Sequence, residues 1–171
     1  MGRELVLGID PSLTATGIAH ASGLTETVKT RAKDGDTRLE VIYREVSFAA
    51  EHAPFAVIED LPKHAMAAGI TGMVQGVVRL ALIDNDVDYL TIPPATLKKF
   101  ATGKGNATKA DMRRAWLMLT GEDNADDNQV DAAYLRQIGL FLMGALTLDI
   151  APEQLLAVAR YQEQADGLLR R

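Results

Sequence analysis

Three groups of carboxylates in this sequence stand where a buried element is expected to meet solvent. Asp10 and Glu59 each end an apolar run typical of a buried strand, and Asp126, Asp127 and Asp131 open a predicted helix. Four-residue spacing places Asp127 and Asp131 on one helix face. Ligand-binding groups of open α/β sheets gather at strand ends, so the three groups converge if this helix begins over the first and fourth strands. Carboxylate oxygens are the ligands that Mg²⁺ and Mn²⁺ prefer, and the pattern therefore predicts a site for divalent cations.

Each carboxylate also has an explanation that involves no ligand. Asp10 precedes Pro11 and suits a turn, and Glu59 suits a salt bridge at a strand end. Asp126 and Asp127 suit the N-terminus of a helix, where acidic side chains cap free N–H groups and oppose the helix dipole. These alternatives stay open for each residue alone, and the metal hypothesis depends on their joint layout.

The elements that must position these groups follow from apolar periodicity and turn signals. Short turns join the first three strands, which predicts an antiparallel meander. Alternating helices and strands come next, so we expect a mixed five-stranded sheet with helices on both faces. The predicted strands cover residues 4–9, 16–22, 24–31, 55–59 and 88–92, and the predicted helices cover residues 36–52, 62–83, 94–102, 108–119, 127–144 and 152–170.

A basic segment interrupts an otherwise acidic chain. Residues 98–114 hold six basic side chains and one acidic one, a net of +5, so the rest carries −10 in a chain of net charge −5. Lys104 lies between two glycines, and Lys109 follows Thr108 in the first turn of a predicted helix. A cation there opposes the helix dipole, which a bound phosphate would offset. The segment indicates a surface for a polyanion, the alternative being a merely solvated face.

The predicted helix over residues 62–83 carries an apolar seam with a 4-3-4-3 spacing. Three glycines lie within it, and each mid-helix glycine costs about 1 kcal/mol relative to alanine, so they need a packing reason. Close approach of a second copy of the chain and packing on the chain's own sheet both supply one. The seam consists of Met66, Ile70, Met73, Val77 and Leu80, with Gly69, Gly72 and Gly76 among them.

Several motifs, in order, resemble those of the RuvC resolvases. They are Gly8–Pro11 followed by Thr16-Gly17, Phe55–Glu59, Pro94–Lys98, Asn106–Lys109 and Asp127–Ala133, the last in the form that phage-borne members carry. The resemblance runs from about residue 3 to about residue 144. It implies an RNase H-like fold, a homodimer and metal-dependent cleavage of Holliday junctions and other branched DNA.

Site residues are carried over from this resemblance position by position. The expected metal ligands are Asp10, Glu59, Asp127 and Asp131, holding two Mg²⁺ or Mn²⁺ ions, with Lys109 as a further catalytic residue. The expected DNA-binding residues are Lys98, Lys99, Lys104, Lys109 and Arg113. Two positions depart from the family pattern: Asn128 stands where cellular members usually carry Asp or His, and Pro62 stands where they tend to carry an aromatic. A carboxylate binds a cation better than an amide, so Asp127 is preferred to Asn128 as the fourth ligand.

Two other functions stay open: an RNase H-type ribonuclease, and a non-catalytic junction-binding protein. We expect residues 1–171 to form one domain with a helical extension over about 145–171. The chain has no cysteine, which excludes thiolate sites, and no apolar run reaches the ~18 residues that span a bilayer. The N-terminus lacks the layout of a signal peptide, so the expected location is the cytoplasm of a bacterial or phage-infected cell. His20 and His52 are expected to be structural and Trp116 to belong to the core.

Overall fold

The computed structural model describes residues 5–61 and 68–170. The strands are β1 (Val6–Asp10), β2 (Ala15–Ala19), β3 (Thr25–Lys29), β4 (Phe55–Glu59) and β5 (Asp88–Ile92). The helices are α1 (Thr37–Ala50), α2 (described over Ala68–Asp84), α3 (Pro94–Thr102), α4 (Lys109–Thr120), α5 (Asp127–Leu142), α6 (Pro152–Ala159) and α7 (Gln162–Leu168). None of the described helices is both long and apolar enough to cross a lipid bilayer.

The five strands form one mixed sheet in the order β3-β2-β1-β4-β5, which confirms the predicted architecture. β1, β2 and β3 pair antiparallel, as the short turns predict, whereas β1, β4 and β5 run parallel. The carboxyl ends of the three parallel strands therefore lie at the same edge of the sheet. In this register Ile9 lies opposite Ile58, so Asp10 and Glu59 end neighbouring strands side by side.

Alternate residues of the central strands enter two separate cores, because successive side chains of a strand point to opposite faces. Val6 and Val57 pack beneath α5 and its neighbours, in the core that also contains Val158 of α6. Leu7 and Ile58 pack beneath α1 and α2. Both faces are thus covered, which explains why the strands that carry the acids are almost wholly apolar.

Two glycines let α5 lie directly on the sheet. A Cβ atom at Gly8 would stand 2.0 Å from the carbonyl oxygen of Ala132, and one at Gly17 would stand 2.1 Å from that of Asn128. Any side chain at either position would push the helix outward. The close approach brings the first turns of α5, and with them Asp131, over the end of β1.

The C-terminal region differs from the single helix predicted over residues 152–170. The structure divides it into α6 and α7, and the N–H of Tyr161 bonds to the carbonyl of Val158 at 2.9 Å, a tightened turn that ends α6. The predicted start of the long helix at Pro62, together with Met66 and His64, lies outside the described residues. Trp116 is half-buried and packs edge-on against Tyr134, with ring centroids 5.2 Å apart. His20 bonds to Glu26 at 2.7 Å, whereas His52 is exposed.

Candidate active site

β1, β4 and α5 bring three carboxylates to one cavity at the carboxyl edge of the sheet. Asp10 ends β1, Glu59 ends β4 and Asp131 projects from the second turn of α5. The cavity measures about 250 Å³. Its remaining walls come from α3 and α4: Pro94, Leu97, Lys98, Lys109 and Met112. The predicted convergence of Asp10, Glu59 and Asp131 is therefore present in the structure.

Burial makes the ionised form of these carboxyls unfavourable. It raises the pKa of Asp10 to about 7, with a further contribution from the charge of Asp131. It raises the pKa of Glu59 to about 9, with the charge of Asp10 as the next cause, and it raises that of Asp131 to about 6. Lys109 lowers all three pKa values, but less than burial raises them. Without a cation, then, the cluster holds protons near neutral pH.

This donor set fits divalent cations. Hard cations take carboxylate oxygens, and a bound cation would replace the protons that the cluster otherwise retains. Among the described residues, no three acidic or histidine side chains stand close enough to form a ready-made metal cage. The three carboxylates instead surround the cavity, as expected of like charges with no cation between them.

Asp127 stands apart from this cavity, although it was predicted as the fourth ligand. Its carboxylate pairs with Nζ of Lys109 at 3.2 Å and is 35% exposed. Its charge nevertheless contributes to the raised pKa of Asp131, after burial. The competing candidate, Asn128, donates its amide to Asp126 at 3.2 Å.

Asp126 is the cap of α5, which was the alternative explanation for this residue. Its carboxylate accepts hydrogen bonds from the N–H groups of Asn128 and Gln129, at 3.0 and 3.4 Å. It also accepts one from the hydroxyl of Thr27 on β3 at 2.8 Å. These bonds fix the start of the helix that carries Asp131 to the sheet.

The basic segment forms α3, α4 and the loop between them. The predicted capping box is present: Thr108 and Asp111 exchange hydrogen bonds at the start of α4. Of the predicted DNA-binding residues, Lys98 and Lys109 line the cavity. Lys99 and Lys104 are exposed. Arg113 makes two short bonds to Asp123, at 2.5 and 2.6 Å, and points away from the cavity lining.

The seam of α2 faces outward. Ile70, Met73 and Leu80 are 53%, 46% and 51% exposed, and a Cβ atom at Gly69, Gly72 or Gly76 would meet nothing within 4 Å. The chain's own sheet is contacted instead by the opposite face of the helix: Val74, Val78, Ala81 and Leu82. Packing on the chain's own sheet therefore does not explain the exposed members of the seam or its glycines.

The sequence patterns missed one contact at this site. Gln75, on the inner face of α2, donates a hydrogen bond from Nε2 to the main-chain carbonyl of Glu59. The only local signal is a glutamine between buried apolar positions of a helix.

The sequence profile of a known family, described as crossover junction endodeoxyribonuclease RuvC, matches residues 6–159. The chain belongs to the RuvC family. The match continues through α6, beyond the residue at which the resemblance of the motifs ends. A RuvC of Brachyspira hyodysenteriae is 30% identical over 143 residues, covering 75% of this chain and 88% of that protein. The RuvC of Carboxydothermus hydrogenoformans is 26% identical over 155 residues, covering 82% and 98%.

Solved structures agree with this family and with the RNase H-like fold. The structure of Thermus thermophilus RuvC superposes with a TM-score of 0.67 at 21% identity, covering 84% of this chain and 99% of that one. A second structure, the same organism's RuvC in complex with a Holliday junction substrate, gives a TM-score of 0.68 at 20% identity, covering 85% and 99%. The mixed sheet between helices is thus the RuvC arrangement.

Proposed function

We propose that this protein is a structure-selective endodeoxyribonuclease that resolves Holliday junctions, and cuts other branched DNA, by metal-dependent hydrolysis of phosphodiester bonds. The observation that carries the proposal is the cavity in which Asp10, Glu59 and Asp131 meet Lys98 and Lys109. It combines ligands for cations with cations for a phosphate. Membership of the RuvC family supports the choice of DNA junctions as substrate, since the curated relatives are named crossover junction endodeoxyribonucleases.

In this proposal the three carboxylates of the cavity hold two Mg²⁺ or Mn²⁺ ions, and Asp127 completes the site. Bound ions of this kind activate a water molecule and stabilise the leaving oxygen. Asp127 starts the same helix one turn before Asp131, and its present partner is the exposed Lys109. It can reach the metal site by exchanging that partner, whereas the amide of Asn128 carries no charge to offer.

The lysines divide into two roles by their positions. Lys98 and Lys109 line the cavity and contact the phosphate under attack, Lys109 acting also as a catalytic residue that stabilises its developing charge. Lys99 and Lys104 lie outside it and hold the flanking DNA backbone. Arg113 joins them only by releasing Asp123, so its contribution is the smallest of the set.

The working unit is a homodimer whose interface is the exposed seam of α2. Exposed Ile70, Met73 and Leu80 give one apolar face, and the outward glycines allow a second helix to approach closely. A four-way junction is two-fold symmetric and its resolution needs two opposed cuts, which a symmetric pair of active sites supplies. Residues 1–171 act as one nuclease domain with an extension from about 145, and DNA as substrate places it in the cytoplasm of a bacterial or phage-infected cell.

One assay separates this proposal from its alternatives. A labelled four-way junction and an RNA–DNA hybrid are each incubated with the protein, with and without Mg²⁺ or Mn²⁺. Symmetric cuts in the junction, present only with the cation and absent in Asp10→Asn, are the expected result. Asp36→Asn, at an exposed helix cap without a side-chain hydrogen bond, is the matched control and should cut like the wild type. Cutting of the hybrid alone would indicate a ribonuclease, and binding without cutting a junction-binding protein.

A further inference from the structure

Helix α2 contacts the end of β4 through two side chains of its inner face. Gln75 is 3% exposed, and its Nε2 donates a hydrogen bond to the main-chain carbonyl of Glu59. One turn later, Arg79 lies 3.5 Å from the carboxylate of Asp60. Both contacts are made to the segment that presents Glu59 to the cavity, and neither partner lines the cavity itself.

The carbonyl of Glu59 needs a partner because the sheet does not supply one. The N–H of Asp60 bonds to Ile92 on β5, so the polar groups of Glu59 face β1 on the other side. With Ile9 opposite Ile58, the next donor that the parallel ladder would offer this carbonyl is residue 11. That residue is Pro11, which has no N–H. The carboxamide of Gln75 takes the place of the missing donor.

The second half of the same carboxamide is unsatisfied. Oε1 of Gln75 is buried and has no hydrogen-bond partner among the residues that the structure describes. Buried polar atoms without partners are unfavourable, and those that persist in folded proteins often mark functional sites. An apolar side chain would remove this penalty but would leave the Glu59 carbonyl without a donor.

We propose that Gln75 is a positioning residue: it holds the main chain of Glu59 so that the carboxylate stays in the cavity with Asp10 and Asp131. The same helix presents Met73 and its apolar neighbours on the opposite, exposed face. A second copy docked on that face therefore fixes α2, and through Gln75 it fixes one ligand of the metal site. The inference rests on the metal-binding part of the proposed function.

The test measures Mn²⁺ binding to the protein without DNA, by electron paramagnetic resonance of the free ion. Groups that orient metal ligands typically affect affinity by 10–100-fold, so Gln75→Leu should bind Mn²⁺ about tenfold more weakly than the wild type. Its thermal unfolding without metal should stay close to that of the wild type, because the lost hydrogen bond is offset by removal of the unsatisfied Oε1. Gln75→Met, unbranched like glutamine, provides a second variant if the leucine variant does not fold.

The matched control is Gln137→Leu. Gln137 is also a buried glutamine, 5% exposed, but its Oε1 accepts hydrogen bonds from Thr147, away from the cavity. This variant should bind Mn²⁺ like the wild type. On a Glu59→Gln background, Gln75→Leu should cause no further loss, because the ligand that it positions is already removed.

Wild-type Mn²⁺ affinity in both Gln75 variants would overturn the positioning role. Met73→Glu tests the link to the outer face: it should give a monomer with weakened Mn²⁺ binding, and a monomer with unchanged binding would refute the link. Junction cutting does not enter any of these measurements. Failure of the proposed substrate is therefore distinguishable from failure of this inference, since wild-type Mn²⁺ binding without junction cutting would affect only the former.

Discussion

Asp10→Asn should abolish catalysis and yet stabilise the metal-free protein above neutral pH. Burial first, and then the charge of Asp131, raise the pKa of Asp10 from an ordinary value of 3.8 to about 7 in the folded chain. The folded state thus holds a proton that the unfolded state releases. Stability from this group is fully present below the unfolded pKa and is lost as the pH rises through the folded pKa. Asparagine does not ionise, so the variant escapes that loss.

The magnitude follows from the width of the titration. Between pH 5 and pH 8 the folded carboxyl ionises near pH 7, whereas the unfolded one is already ionised at pH 5. The wild type therefore loses roughly 1.4 kcal/mol per pH unit over about two units, or about 2–3 kcal/mol, relative to the variant. For a chain of this length that corresponds to a relative shift in Tm of about 5–10 °C.

The assay is thermal unfolding at pH 5 and pH 8 in the presence of a chelator, for the wild type, Asp10→Asn and the exposed control Asp36→Asn. The difference in Tm between Asp10→Asn and the wild type should grow from pH 5 to pH 8, whereas the control difference should stay constant. Adding Mn²⁺ at pH 8 should raise the Tm of the wild type more than that of Asp10→Asn, since ligands that bind only the folded state stabilise it. A difference that is the same at both pH values would refute the assignment of Asp10 as a buried, functionally destabilising carboxylate.

Three further predictions concern other residues of the site. Asp127→Asn should lose far more cleavage activity than Asn128→Ala, because only the former removes a charge near Asp131, and single-turnover rates in which Asn128→Ala is the more damaging would contradict this choice. Gly72→Leu should separate the subunits by blocking close helix approach, which light scattering at micromolar concentration would report; a monomeric wild type would count against the dimer. Lys98→Ala should reduce the salt slope of junction binding by about 0.9 per lost phosphate contact on duplex DNA, whereas Lys109→Ala should also slow single-turnover cleavage at saturating protein. Variants of both lysines that bind and cut like the wild type would place the DNA path elsewhere.

The sheet and the carboxylates of β1, β4 and α5 were predictable because each depends on a short-range pattern. An apolar run ending in Asp10 or Glu59 specifies a buried strand with an acid at its edge. Parallel pairing of β1 with β4 then places the two acids side by side. Gly8 and Gly17 belong to the same pattern, although only the structure shows that their lack of a side chain admits α5.

Other features depend on tertiary contacts that no local pattern records. The pairing of Lys109 with Asp127 joins the starts of two helices, and sequence spacing alone does not set their separation. The role of Gln75 arises because Pro11, far away in the sequence, leaves a carbonyl without a donor. The division of the C-terminal helix at Tyr161 likewise has no glycine or proline to mark it.

The central claim is that the carboxylate cavity cuts DNA junctions with the help of divalent cations. The most direct measurement is single-turnover cleavage of a labelled four-way junction by the wild type and by Glu59→Gln, with Mg²⁺ or Mn²⁺ and with a chelator. The account predicts paired, symmetric cuts by the wild type that require the cation, and intact junctions bound but uncut by Glu59→Gln. Cleavage by Glu59→Gln at the wild-type rate, or wild-type cleavage that persists in the chelator, would contradict it.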